Sequence, residues 1–253
     1  MIFKARLSGH DFDMQTLTRL FPTEGDPAVA KDGDGYFLAS KELDQKGRED
    51  ESSLARISTR IITEMNGIAR ALESSFRPVS LQGGYYDTTR GITIAFGSAT
   101  LEMRTHLRAE GTVVGGGSPV KQPPKGPTLM DVAKRNPNVA YALRFLGRPE
   151  VALNWVDLYK IYEIVLEDVG GTSGARAWVS KKKLESFAAS ANNRHVSGDD
   201  SRHAKLYGPP PANPMTIETA RETIRLLAAG WLNSYIAEAC RHDERDMPTA
   251  DES

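Results

Sequence analysis

Glu51 to Ser74, ESSLARISTRIITEMNGIARALES, is the stretch around which the rest of the chain organises. Within it Leu54, Ile57, Ile61, Met65, Ile68 and Leu72 recur at three- and four-residue steps, the spacing of one face of a helix. The acidic run Glu49-Asp50-Glu51 precedes it and suits the positive end of a helix dipole. On both sides the period falls to two. Upstream, Phe3, Ala5 and Leu7 alternate with Lys4 and Arg6, the pattern of a half-buried strand. Tyr36-Phe37-Leu38 follows Lys31-Asp32-Gly33-Asp34-Gly35, whose Asp-Gly pairs supply turn conformations at low cost. Asp-x-Asp-Gly also opens a calcium loop, but the later ligands and the closing Glu are missing, so a hairpin turn is the better reading.

Downstream, Val79, Leu81 and Tyr85 flank Gly83-Gly84, a pair that suggests a bulge. Thr88-Thr89-Arg90-Gly91 reads as a turn, after which Ile92, Ile94 and Phe96 alternate. Leu101, Met103, Thr105 and Leu107 then alternate with Glu102, Arg104, His106 and Arg108. A helix between alternating strands predicts an antiparallel sheet with one wet face and one long helix across the other. Gly111 to Pro127, GTVVGGGSPVKQPPKGP, has no period and reads as a linker.

Beyond it the period is helical throughout. A short helix near Thr128 to Val132 is followed by one from Asn138 to Leu146, closed by Gly147. The run from Pro149 to Val169 carries Trp155, Tyr159, Tyr162, Leu166 and Val169 in one stripe, widened by Val156, Ile161, Ile164 and Val165, which marks a central helix. Gly170-Gly171 stops it, Ser180 caps the next, and a final helix runs from Pro214 and Thr216 to about Cys240. The expectation is an α+β protein. It has a sheet domain at 1–110, a Gly/Pro linker at 111–127, a helical bundle at 128–240 and a disordered tail at 241–253.

The 253 residues have a formal net charge of −1, which does not indicate a strongly cationic nucleic-acid binder but leaves local basic patches open. The single cysteine, Cys240, rules out an intramolecular disulfide and a Cys-rich zinc site, and fits a reducing compartment. The start MIFKARLSGHDFD meets acidic residues before any signal-length apolar run, and no stretch reaches the roughly 18 apolar residues of a membrane span. A cytoplasmic, soluble protein is expected, with no cofactor and no metal.

Chemistry concentrates in Ser190 to Ala204, SANNRHVSGDDSRHA, which holds two of the five histidines with two arginines and two aspartates. Such groups transfer protons and hold phosphates. His203 with His195 are candidate proton carriers, Arg194 and Arg202 candidate phosphate holders, and Asp199 or Asp200 a candidate orienter of imidazole. The same residue types also satisfy the backbone of an interhelical loop. A second surface is the sheet, where Lys4, Arg6, Arg104 and Arg108 would form a cationic face toward RNA or an acidic partner if their strands are neighbours.

A helical bundle with an Arg/His pair near the start of a late helix resembles the HEPN group of helical domains over about Thr128 to Cys240. Many of those are metal-independent RNA-cutting toxins or defence proteins that act as dimers, so the resemblance implies a homodimer with RNA as substrate. The family pairs an Arg with a His shortly after it. Here eight residues separate Arg194 from His203, and Arg202 adjoins His203. Two functions follow: a binding or regulatory module for a protein or RNA partner, and a HEPN-like ribonuclease. The first requires less that the sequence does not show.

Overall fold

The computed structural model describes residues 2–95, 124–148, 153–202 and 209–245. The fold is α+β, with an antiparallel sheet toward the N-terminus and helices beyond it. The expected strand Leu101 to Arg108, most of the Gly/Pro linker and His203 lie outside the described residues. The chain divides into two units, unit 1 (1–58, 79–128 and 239–253) and unit 2 (59–78 and 129–238).

In unit 1, β1 (Phe3–Ser8) leads to α1 (Asp11–Leu20), the hairpin of β2 (Ala28–Asp32) and β3 (Gly35–Ala39), and α2 (Lys41–Glu49). After α3 (Ser53–Leu72) come β4 (Ser80–Asp87) and β5 (Ile92–Ala95). The sheet order is β2-β3-β1-β4-β5, every neighbouring pair antiparallel. Strands with one other strand between them are therefore parallel, so β1-α1-β2 and the β3-to-β4 connection interleave as two split βαβ units, with β5 added as a hairpin. The Asp-Gly turn closes the β2–β3 hairpin with Gly33 at φ +60°.

Two helices had no clear signature in the sequence. His10 starts α1, its Nδ1 accepting the Phe12 amide at 3.3 Å, and Met14, Leu17 and Leu20 are its buried face. Ser40 caps α2 by accepting the Leu43 amide at 3.1 Å. α2 has one apolar residue, Leu43, so no period could be read from it. Its Asp44 carboxylate accepts the amides of Ile2 and Phe3 at 2.7 and 2.9 Å, tying the helix to the start of β1.

Phe3, Ala5, Leu7, Val29, Leu38 and Tyr85 fill the covered face of the sheet. Ser58, the last residue that α3 gives to unit 1, bonds the Tyr85 hydroxyl at 2.6 Å. The rest of α3, which the periodicity assigned to the sheet, belongs to unit 2. There a Cβ on Gly67 would stand 2.2 Å from the Leu143 carbonyl oxygen, so the helices approach at backbone distance.

Unit 2 is helical: α4 (Lys125–Arg135, from Leu129 on), α5 (Pro137–Leu146), α6 (Trp155–Asp168) and α7 (Thr172–Ala175). α8 (Lys181–Asn192), the short α9 (Arg194–Ser197), a 3-10 turn at Gly198–Asp200 and α10 (Ile217–Arg245) follow. α4 starts at Lys125 rather than near Thr128, because Pro127 is tolerated in a first turn where no intrahelical donor is needed. α6 starts at Trp155: Asn154 is extended and its side chain accepts the Asp157 amide at 3.0 Å, fixing the N-terminus there. Trp155, Leu158, Tyr159, Ile161, Tyr162 and Val165 are buried, as expected of a central helix. Leu166 accepts the Gly171 amide, with Gly170 at φ +73°, which ends the run. Ser180 caps α8, and α10 continues past Cys240 to Arg245.

Candidate functional site

The sheet of unit 1 turns one face away from its helices. Alternation along β1 sends Lys4 and Arg6 there while Phe3, Ala5 and Leu7 are buried. The register then selects their neighbours. Arg6 stands directly opposite Phe37 of β3, and Lys4 directly opposite Tyr86 of β4, which in turn faces Thr93 of β5. Each ring thus has a cation beside it on the central strand. The rings lie on either side of β1, two strand spacings or roughly 10 Å apart across the sheet.

Between them runs a groove of about 350 Å³ lined by Arg6, Asp32, Phe37, Gly84, Tyr85, Tyr86 and Thr93. Its floor is open because of the bulge. Between the Ala5–Tyr85 and Leu7–Leu81 pairs one residue of β1 faces three of β4, and Gly83 adopts φ +82°. Gly84 beside it has no side chain, and among the described residues a Cβ there would meet only Thr93 Cγ2, at 3.8 Å. Carboxylates partner both cations: Asp32 holds Lys4 at 3.0 Å, and Asp34 lies 3.8 Å from Arg6. Asp34 is almost fully exposed, so its attraction is weakened by water and salt. Phe37 and Tyr86 were not singled out in the sequence. Tyr86 is one of the few exposed large apolar residues among the described ones, and the signal for it was its alternation with buried Tyr85.

The candidate residues of the 190–204 segment are held otherwise. Arg194 pairs with Asp199 at 3.2 Å. Arg202 pairs with Glu163 at 2.7 Å, lies over the Tyr159 ring at 4.4 Å, and its amide donates to the Ala191 carbonyl. The His195 amide donates to Asn193 Oδ1 at 3.0 Å as part of the α9 cap. Asn154 donates to Asp200 at 3.2 Å, Asn193 to the Pro209 carbonyl at 3.0 Å, and the Met215 amide to the buried Ser190 hydroxyl at 2.9 Å. The structure brings Arg194 and Asp199 together and holds the Arg202 side chain against Glu163 and Tyr159 of α6. Tyr159 belongs to an aromatic cluster with Tyr162, Trp155 and Phe187, so the sequence's aromatic stripe is packing.

Among the described residues no group of three or more His, Cys, Asp or Glu could hold a metal ion, and no helix is long and apolar enough to cross a membrane. No protein-family model, curated protein or solved structure matches this chain.

Proposed function

We propose that this chain is a binding module and that the open sheet face of unit 1 takes a single-stranded RNA. The observation that carries this reading is that two rings on this face, half-buried Phe37 and exposed Tyr86, each stand opposite a cation of the central strand, Arg6 and Lys4, beside an open groove. Unpaired bases stack on aromatic side chains, and the phosphates between them need nearby cations. A duplex hides its bases and offers such a platform little. Asp32 and Asp34 then act as internal counter-ions that a phosphate displaces.

The test is fluorescence anisotropy with a labelled mixed-sequence RNA, single-stranded and as a duplex, at low salt. The wild type is expected to prefer the single strand. Phe37→Ala combined with Tyr86→Ala should weaken binding at least about ten-fold, since a stacked base contributes about 1–3 kcal/mol. Unchanged binding by a natively folded double variant, or none by the wild type, would sink the proposal.

A further inference from the structure

Phe37 and Tyr86 flank β1 on its two sides, so the rings stand roughly 10 Å apart across the sheet. Successive bases stacked in a strand lie only ~3.4 Å apart. Bases that cover both rings are therefore unstacked from each other, and a nucleotide between them has no ring of its own. What the sheet offers it is the groove. At about 350 Å³ the groove falls within the ~300–1,000 Å³ of small-ligand sites.

The polar side chains that line the groove decide which base fits. The Tyr85 hydroxyl is engaged with Ser58 at 2.6 Å on the buried side. Among the described lining residues this leaves Arg6, Asp32 and Thr93 beside the Tyr86 ring. Strand register brings the first two together. Asp32 is paired with Gly35 at the turn of the β2–β3 hairpin, and a Cβ on Gly35 would stand 3.3 Å from Arg6 Nε. The guanidinium thus passes beside the residue that faces Asp32.

Lys4 bonds Asp32 Oδ2 at 3.0 Å, and Asp34 lies 3.8 Å from Arg6. Two cations stand against two carboxylates, so attraction for phosphate alone does not account for the arrangement. The Asp32 side chain is 62% exposed and open to a ligand. A carboxylate on such a face repels the phosphate backbone but accepts hydrogen bonds from base N–H groups. Guanine alone among the four bases has two adjacent donors, N1–H and the N2 amino group, and two adjacent acceptors, O6 and N7. A carboxylate takes the donor pair with its two oxygens, and a guanidinium fork donates to the acceptor pair. Adenine and cytosine offer one amino donor next to an acceptor, and uracil one N–H between two acceptors. The Thr93 hydroxyl donates and accepts and does not choose.

We infer, resting on the reading of this face as a single-strand site, that the groove selects one guanine between the bases on Phe37 and Tyr86. Arg6 holds its O6 and N7, and Asp32 its N1 and N2 donors. When a phosphate takes Lys4, Asp32 exchanges that partner for the base.

The test is anisotropy of the full chain with short labelled oligouridines that carry one central guanosine, adenosine, cytidine, inosine or 7-deazaguanosine. The guanosine strand is expected to bind about ten-fold tighter than the adenosine and cytidine strands. Inosine, which lacks the N2 amino group, and 7-deazaguanosine, which lacks N7, should each lose several-fold. Asp32→Asn keeps the size and turn chemistry of the residue. It should bring guanosine and adenosine strands within about two-fold of each other, while plain oligouridine binds as well as before or better. Guanosine 5′-monophosphate should displace the guanosine strand only at roughly thirty-fold excess or more, because it lacks the two stacked neighbours.

Equal binding of guanosine and adenosine strands by the wild type overturns the inference and leaves single-strand binding standing. A folded Asp32→Asn variant that keeps the guanosine preference does the same. If that variant fails to fold, the wild type decides: undiminished binding of inosine and 7-deazaguanosine strands overturns the assignment. Displacement by an equal concentration of the monophosphate would make the ligand a free nucleotide and also overturn it. Failure to bind any of the strands removes the single-strand reading and the guanine with it.

Discussion

Arg6 on β1 and Arg202 beyond the 3-10 turn are both arginines with about two-fifths of the side chain exposed, and each faces a carboxylate. Their surroundings differ. Arg202 meets Glu163 at 2.7 Å, lies on the Tyr159 ring, and sits where the chain is pinned to the Ala191 carbonyl. Arg6 meets Asp34 at 3.8 Å, borders a groove and has Phe37 beside it. Residue type alone therefore misleads. In unit 2 the described residues of the polar segment, Arg194, His195, Asp199 and Arg202, are engaged in caps and ion pairs, whereas sheet pleat and register in unit 1 aim rings and cations at one surface.

The largest effect expected from a single change is that of Gly84→Val. A side chain there fills the groove floor, Gly84 is not among the glycines of positive φ, and among the described residues a Cβ would meet only Thr93, at ordinary contact distance. Valine also suits a strand better than glycine. RNA affinity should fall about ten-fold, the scale of one lost stacking interaction, while Tm stays level or rises. An unchanged affinity would mean that the groove is not the site, and would remove the distinction between the two arginines.

Next in size is a gain. Asp32→Asn with Asp34→Asn removes the internal counter-ions of Lys4 and Arg6. Affinity for single-stranded RNA should rise several-fold, with a steeper dependence on salt, by about 0.7 in logarithmic slope for each further phosphate neutralised. A fall in affinity would show that the carboxylates position the cations rather than compete for them. In unit 2, Arg202→Ala should leave RNA binding unchanged and cost roughly 0.5 kcal/mol in denaturant unfolding, the scale of an exposed ion pair. RNA cleavage in EDTA is expected to be absent from wild type and from His203→Ala alike. Cleavage lost only in a folded His203→Ala variant would break the comparison and favour the HEPN-like reading.

Long periodic elements were legible in the sequence. α3, α6 and α10 announced themselves through apolar spacing, and β1, the Asp-Gly hairpin and the Gly83-Gly84 bulge through alternation and turn chemistry. α2 was not legible because Asp44 and Ser40 hold it, through bonds to distant or capping amides that leave no period. The candidate groove was hidden for a related reason. Phe37 and Tyr86 are 49 positions apart and become neighbours of Arg6 and Lys4 only through strand order. The segment at 190–204 stood out because its polar residues are contiguous; of the described ones, Ser190 and Asn193 bond to the chain ahead of α10, and Asn193 caps α9.

A pH dependence tests the same account of unit 2. The Tyr235 hydroxyl donates to Asp168 at 2.9 Å and accepts from Asn136 at 3.1 Å, while Asp168 also accepts from Trp231 Nε1 at 2.7 Å. Burial first, then the bond and charge of Asp168, push the Tyr235 hydroxyl up to about 12. The folded protein therefore holds this proton more tightly than the unfolded chain, whose tyrosines titrate near ~10. The associated stability is complete below about pH 10 and is lost as pH rises through about 12. Tyr235→Phe should cost about 1 kcal/mol at neutral pH, and its unfolding free energy should fall less steeply than that of the wild type between roughly pH 10 and 12. Tyr36 is also pushed up to about 12, by burial and by Asp11, so the difference between the two profiles is the quantity that isolates Tyr235. Parallel profiles would mean that Asp168 does not hold Tyr235 in the folded protein, and one polar group of unit 2 would then be available for other chemistry.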